Sequence, residues 1–150
     1  MARLRLKLFY SHSREDNFTT ATRLGETDAR NAGYREVRVE GIVDSVQEAG
    51  TVPLKLFYSN DRQDNFTTAT TQGEADALNA GYRFVRVEGY VYPRQTGSLI
   101  PLKLFYSNAR QDNFTTATRL GETDALNTGY RFVRVEGYRH VDDDVVLNPV

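Results

Sequence analysis

The sequence predicts a mainly β fold with short helices, built from three tandem copies of about 48 residues that close into a pseudo-threefold ring. Tyr10, Tyr58 and Tyr106 lie at the same position of three copies and are separated by 48 residues each. Two segments of each copy have the alternation or the Thr-rich composition of short strands. Such a period is typical of repeat architectures, so it decides the fold class before any single motif does.

The copies span residues 6–53, 54–101 and 102–150, and together they form a single domain, 1–150. One copy is too small to bury a comfortable core alone, so the three copies are expected to share one. Pro53, Pro101 and Pro149 repeat the same interval, which gives 145–150 the phase of a segment that leads into another copy. We therefore expect this segment to dock beside the N-terminal strand and close the ring. The alternative is a short solenoid with open ends.

The first half of each copy predicts a β-hairpin. LKLFYS, at 6–11, 54–59 and 102–107, alternates apolar and polar positions as a half-buried strand does. Four polar residues then form a turn, and DNFTTAT follows with the Thr and aromatic content of a second strand.

The middle of each copy predicts a helix of two or three turns. In the second copy it lies within GEADALNAGY, at 73–82, which is rich in helix-forming residues. Thr70 or Thr71 can act as N-cap, and Glu74 complements the positive end of the helix dipole. Gly81 has the position of a C′ glycine.

The last part of each copy, RFVRVEGYVYP at 83–93, predicts two short strands hinged at Gly89, where a bulge or a close backbone approach is expected. Alternation puts Val85, Val87 and Val91 on one face, and Phe84, Arg86, Glu88 and Tyr90 on the other. The predicted core consists of Leu54, Leu56, Phe66, Leu78, Val85, Val87 and their equivalents.

The composition excludes several classes of function. A net charge of −1 provides no basic field for nucleic acid or anionic membranes, and no apolar run is long enough to insert in a bilayer. There is no Cys for a disulfide or a thiolate metal site, and no signal peptide is recognisable in this chain. The sequence predicts a soluble protein that needs no cofactor or metal. It leaves the compartment and the oligomeric state open.

Two resemblances follow from the motifs. Phe66-Thr67-Thr68, Gly81-Tyr82 and Glu88-Gly89 carry a pattern similar to bacterial and fungal tandem repeats with H-F-Y-T-T and G-Y-x-x-E-G motifs. That family often accompanies secreted hydrolases and is of unassigned function, which implies an accessory module that binds glycans. Asn65 stands where the family usually has His, so no role of that His carries over.

The second resemblance is architectural. Three β-rich copies of this length in a ring are similar to β-trefoil lectins in period and strand count, although the chain lacks the Trp of the ricin-type Q-x-W motif. A different threefold β ring, such as a β-prism, is the alternative.

The candidate ligand-binding residues recur in phase. Planar Asp, Asn and Arg groups can bind vicinal hydroxyls through paired hydrogen bonds, and an aromatic face can stack on a sugar ring. The predicted set is Arg14, Asp16 and Asn17; Arg62, Asp64, Asn65 and Tyr90; and Arg110, Asp112, Asn113 and Tyr138. The structural alternative for Asp-Asn is turn chemistry that caps backbone groups. Arg86 and Glu88 are expected to form an ion pair that supports the contact between copies.

The resulting hypothesis is a multivalent lectin with up to three equivalent sites and no catalytic activity. His12 and His140 lie outside the repeating pattern, and no nucleophile motif or phosphate loop is present. The alternatives are an inhibitor that binds protein through the loop at 44–51, and a symmetric scaffold, natural or designed, with no ligand. Glu36, Ile42, His12 and Glu15 depart from the other two copies, so the first copy should carry the most altered site.

Overall fold

The computed structural model describes residues 2–141, and in them each copy folds as two strands, a helix and a third strand. The elements are β1 (Arg3–Ser11), β2 (Asp16–Thr20), α1 (Arg23–Asn31), β3 (Arg35–Asp44), β4 (Val52–Ser59), β5 (Asp64–Thr68), α2 (Thr71–Asn79), β6 (Arg83–Val91), β7 (Ile100–Ser107), β8 (Asp112–Thr116), α3 (Arg119–Asn127) and β9 (Arg131–Arg139). The mainly β fold with short helices is confirmed. No helix in the described part has the length and apolarity needed to cross a membrane. The segment at 145–150 lies outside the described residues.

The strands form two antiparallel sheets, ordered β2-β1-β3-β6-β4-β5 and β8-β7-β9. In each copy the first strand pairs with the second as the predicted hairpin, with Phe57 opposite Phe66 in the second copy. The first strand also pairs with the last strand of its copy. Single bridges, Ile42 to His140 and Tyr92 to Tyr138, connect the third copy to the other two.

The predicted helices are confirmed with their caps. Helix α2 begins after Thr70, whose Oγ1 accepts a hydrogen bond from the Gly73 amide at 3.0 Å. The helix ends at Asn79 with Ala80 as its C-cap, and Gly81 follows with φ of +87°, a conformation that glycine adopts without steric cost.

The last strand of each copy differs from the prediction, because β6 continues through Gly89 without a break. The expected bulge is present as a register shift between Leu54 and Lys55, opposite this glycine. Gly89 has φ of +154°, and a Cβ there would lie 2.9 Å from Val43 Cγ2. The glycine is therefore required by a close approach to the first copy rather than by a hinge.

The core prediction is confirmed for Leu54, Leu56 and Phe66, which are 0–2% exposed. It is wrong for Leu78, which is 57% exposed. Helix α2 buries only Gly73 and Ala77, and a Cβ on Gly73 would lie 1.8 Å from Thr68 Oγ1. The helix thus lies against β5 through its small residues, and its leucine faces away. Val85 and Val87 are only half-buried.

Much of the core lies between copies. Leu56 packs with Phe9, Phe18, Ala29 and Tyr34 of the first copy. Leu104 packs in the same way against the second copy, and Leu8 against the third. A further cluster joins all three copies through Leu6, Leu54 and Leu102. The expectation of a shared core is met in the described residues.

Truncation of Leu56 and of Leu78 should distinguish a buried position from an exposed one. Leu56→Ala creates a cavity at the interface between copies and should lower the free energy of unfolding by about 2–5 kcal/mol. Leu78→Ala removes an exposed side chain and should change it by about 0.5 kcal/mol or less. Urea unfolding of both variants measures the difference, and equal losses would contradict the placement of α2.

Candidate ligand-binding site

Three buried aspartates meet where β2, β5 and β8 contact one another. Asp16, Asp64 and Asp112 are the first residues of these strands and are each 1% exposed. One carboxylate oxygen from each lies within 4.8 Å of the other two.

Each of these carboxylates is bound by the next copy. Asp16 Oδ1 accepts from the Asn65 backbone N–H at 3.2 Å, and its Oδ2 accepts from Asn65 Nδ2 at 2.8 Å. The hydroxyl of Tyr34, in the same copy as Asp16, donates to Oδ2 at 2.5 Å. Asn113 and Tyr82 bind Asp64 in the same way, and Asn17 and Tyr130 bind Asp112. The chain of hydrogen bonds therefore runs from the first copy through the second and third and returns to the first.

This placement changes the interpretation of the Asp-Asn pairs. The Asn of each pair binds the Asp of another copy, so the pairs act as links between copies rather than as caps of their own turn. The three aspartates line none of the pockets described below, whereas the asparagines line all three. A ligand role for the pairs stays a prediction, and of the two residue types only the asparagines line a pocket.

Burial and mutual repulsion act on the ionisation of this cluster. Burial, followed by repulsion from Asp64, raises the pKa of Asp16 well above its ordinary value. Burial, followed by repulsion from Asp16 and Asp64, raises the pKa of Asp112 in the same direction. Three carboxylate oxygens are also the ligand type that hard cations prefer. A cation would compete there with protons and with the Asn and Tyr donors that already occupy these oxygens.

A second carboxylate per copy links the copies further along the hairpin. Glu88 is 0% exposed, and its Oε1 accepts from Thr20 Oγ1 at 2.7 Å and from the Ala21 amide at 2.8 Å. Its Oε2 accepts from Arg86 at 3.1 Å, and Arg86 also binds Asp28 of the first copy at 2.5 Å. The expected ion pair between Arg86 and Glu88 is confirmed. Glu88, predicted on the face opposite the core residues Val85 and Val87, instead turns inward to the donors of the preceding copy.

Three equivalent pockets lie between the copies. The pocket between the first and second copies has a volume of about 220 Å³, the one between the second and third about 200 Å³, and the one between the third and first about 350 Å³. Two arginines, two tyrosines, an asparagine and an aspartate recur in each. They are Arg14, Asp28, Tyr34, Tyr58, Asn65 and Arg83; Arg62, Asp76, Tyr82, Tyr106, Asn113 and Arg131; and Arg110, Asp124, Tyr130, Tyr10, Asn17 and Arg35.

Tyr58 occupies the centre of the polar side of the first of these pockets. Its hydroxyl accepts from Arg14 Nη1 at 3.5 Å, and the Arg83 guanidinium lies 5.8 Å from its ring centroid. Arg14 in turn lies over the ring of Tyr34, at 5.7 Å from the centroid. The apolar side is formed by Phe18, Leu56 and Val85. The pocket thus combines an apolar wall with planar donors, which is the usual composition of a small-molecule site.

The predicted site residues fall into three groups. The arginines Arg14, Arg62 and Arg110 and the three asparagines line the pockets, and the aspartates lie behind them. Tyr90 and Tyr138, predicted to stack on sugar, line none of these three pockets and are half-buried near the contacts between last strands. The sequence prediction missed Tyr58, Arg83 and their equivalents. Their recurrence every 48 residues was the available signal, but nothing within one copy shows that they face the arginine of the preceding copy.

The aspartate cluster predicts a pH dependence of stability. A carboxyl with a raised pKa binds more protons in the folded than in the unfolded chain between the two pKa values. Its contribution is therefore complete below the ordinary value of about 3.8 and is lost as the pH rises through the folded value. The thermal midpoint should fall as the pH is raised above about 4.

Asp16→Asn should reduce this slope, while the absolute midpoint also falls because an acceptor is lost. Exposed Asp61→Asn is the matched control and should leave the slope unchanged. Calorimetry between pH 4 and 8, at about 1-unit steps, measures both variants. An unchanged slope in Asp16→Asn would show that the cluster does not hold the extra protons.

Comparison with known proteins gives a family but no described activity. No curated protein and no solved structure matches the chain significantly. One family model, described as "Domain of unknown function (DUF5648)", matches residues 5–140. Since this match covers all three copies and most of the chain, the protein belongs to the DUF5648 family.

Proposed function

We propose that the protein is a multivalent, non-catalytic carbohydrate-binding protein, a lectin, whose three sites are the pockets between copies. The observation that carries the proposal is the recurrence of one pocket, with the same residue types, at all three junctions. A binding module gains from such repetition, because linked weak sites raise avidity on a multivalent surface by about 10²–10⁴. Catalysis gains no comparable advantage.

The pocket chemistry supports a sugar ligand. Arg and Asn side chains offer donors and acceptors in fixed planes, and these match vicinal hydroxyl groups. Tyr58 and Phe18 supply aromatic surface beside them. Volumes of about 200–350 Å³ lie on either side of the lower limit of drug-sized sites, about 300–1,000 Å³, and suit a ligand of one or two rings.

The proposal includes a finer architecture, a closed pseudo-threefold ring with β-trefoil-like symmetry. Support comes from the junction of the third and first copies, which uses the same residue types as the two junctions along the chain. Glu40 accepts from Thr116 Oγ1 at 2.9 Å and from the Ala117 amide at 2.7 Å, as Glu88 does from the first copy. A β-prism has the same valency and makes the same prediction for binding.

Equivalent pockets favour this function over binding through one loop. In the loop at 44–51, Gln47 donates to the Thr51 carbonyl at 3.1 Å and Thr51 Oγ1 accepts from the Glu48 amide at 3.0 Å. The side chains of Gln47 and Thr51 thus form hydrogen bonds within the loop itself, and these groups are not free to bind a partner protein. The scaffold alternative predicts no ligand at all and is decided by the same experiment.

Binding should depend on the pocket tyrosines and not on those outside. A glycan array with the labelled full chain identifies the ligand, and calorimetry measures its dissociation constant. Tyr58→Ala with Tyr106→Ala removes aromatic surface from two pockets and should weaken binding by roughly tenfold at each. Tyr90→Ala with Tyr138→Ala is the matched control and should leave binding unchanged.

Two results would contradict the proposal. If the control pair loses binding and the pocket pair does not, the sites lie on the last strands and the pockets are wrong. If the wild-type chain is folded by circular dichroism and binds no glycan on the array, the lectin function is rejected.

A further inference from the structure

We propose that the pockets select an acidic sugar, a ring that carries a carboxylate or a sulfate, and that Glu15 weakens the third pocket for it. This inference rests on the proposed function, because it names the ligand class of the same three sites. The chemistry shared by the candidate ligands is one oxyanion beside ring hydroxyls.

Two guanidinium groups converge in the pocket between the first and second copies. Arg14 reaches the hydroxyl of Tyr58, and Arg83 lies over the face of the same ring. Arg62 and Arg131 line the next pocket, where Arg131 lies 5.8 Å from the ring centroid of Tyr106.

Neither cation of the first pocket forms an ion pair with a carboxylate of the described part of the chain. Arg14 and Arg83 have no carboxylate within ion-pair distance among residues 2–141. Asp28 lines the pocket, but its Oδ2 already accepts from Arg86 at 2.5 Å. In the second pocket Asp76 is bound by Arg134 in the same way.

Charge and solvation make an anion the favoured ligand. The pocket places two like charges beside the apolar wall of Phe18, Leu56 and Val85, although the whole chain has a net charge of −1. An oxyanion between the guanidiniums offsets their repulsion, and guanidinium binds carboxylate or sulfate through paired, charge-assisted hydrogen bonds. A neutral sugar can accept hydrogen bonds here but provides no such compensation.

The third pocket differs by one carboxylate. Arg110 donates to the Tyr10 hydroxyl at 3.3 Å, as Arg14 does to Tyr58, but its Nε also lies 3.6 Å from Glu15 Oε2. Gln63 and Gln111 occupy the position of Glu15 in the other copies. The third pocket therefore contains its own competing anion, and two of the three sites should bind acidic sugars at full strength.

The test compares acidic and neutral sugars on the full chain. Isothermal titration uses galacturonic acid, N-acetylneuraminic acid and galactose-6-sulfate, with galactose as the neutral match and inorganic phosphate as the free anion. We expect at least one acidic sugar to bind on the order of tenfold or more tighter than galactose, with a stoichiometry near two per chain.

Variants test the residues that carry the inference. Arg83→Gln with Arg131→Gln should weaken the acidic sugar on the order of tenfold and leave galactose unchanged. The control, Arg23→Gln with Arg94→Gln, removes two exposed arginines that line none of these pockets and should leave both affinities unchanged. Glu15→Gln should raise the stoichiometry of the acidic sugar from two towards three. The thermal midpoint of each variant verifies that it is folded.

Failure of the acidic-sugar inference can be distinguished from failure of the proposed lectin function. Equal affinity for galactose and every acidic sugar overturns the anion inference and keeps the lectin. Phosphate that binds as tightly as the acidic sugars overturns the sugar class, because the ring then contributes nothing. Absence of binding by all sugars on the array and in titration overturns the proposed function together with this inference. A stoichiometry unaffected by Glu15→Gln overturns the role of Glu15.

Discussion

The buried carboxylates of each copy find their hydrogen-bond donors in a neighbouring copy, and the fold depends on this exchange. Asp16 needs Asn65, and Glu88 needs the backbone after Thr20. An unpartnered carboxylate in the interior costs several kcal/mol, whereas one that accepts several hydrogen bonds can be accommodated. A copy removed from its neighbours would lose both the donors that satisfy these acids and the contacts that bury them. The three copies are therefore expected to fold as one cooperative unit.

The same exchange builds the pockets. Asn65 and Tyr34 both bind Asp16, and both also line the pocket between the first and second copies. Their buried ends are fixed by the carboxylate, so their open sides are held in place before any ligand arrives. Such preorganisation reduces the entropy that binding would otherwise cost. The same residues thus serve both stability and recognition. Each copy that repeats the contact between Asp, Asn and Tyr therefore also repeats the pocket.

Local pattern was sufficient for the elements of one copy. The hairpin around Phe57 and Phe66, the Thr70 cap and the C′ Gly81 follow from residues close in sequence. The sequence predicts Leu78 in the core, but helix α2 packs through Gly73 and Ala77, since the face that it buries depends on the approach of β5. Alternation puts Glu88 on the face opposite the core valines, because it takes no account of the bulge at Gly89 or of donors that belong to another copy. The pocket residues were found only in part for the same reason, since each pocket takes its two halves from different copies.

The junction of the third copy with the first has a further consequence. It repeats the central interaction of the junctions along the chain, with Asn17 bound to Asp112 as Asn65 is bound to Asp16. Covalent connection between copies is therefore not what defines neighbours. The linkers around 45–51 and 93–99 take no part in the Asn-to-Asp contacts between copies. A single copy carries both the Asn donor and the Asp acceptor of this contact, so three separate copies would contain the groups for the Asn-to-Asp contact at each junction.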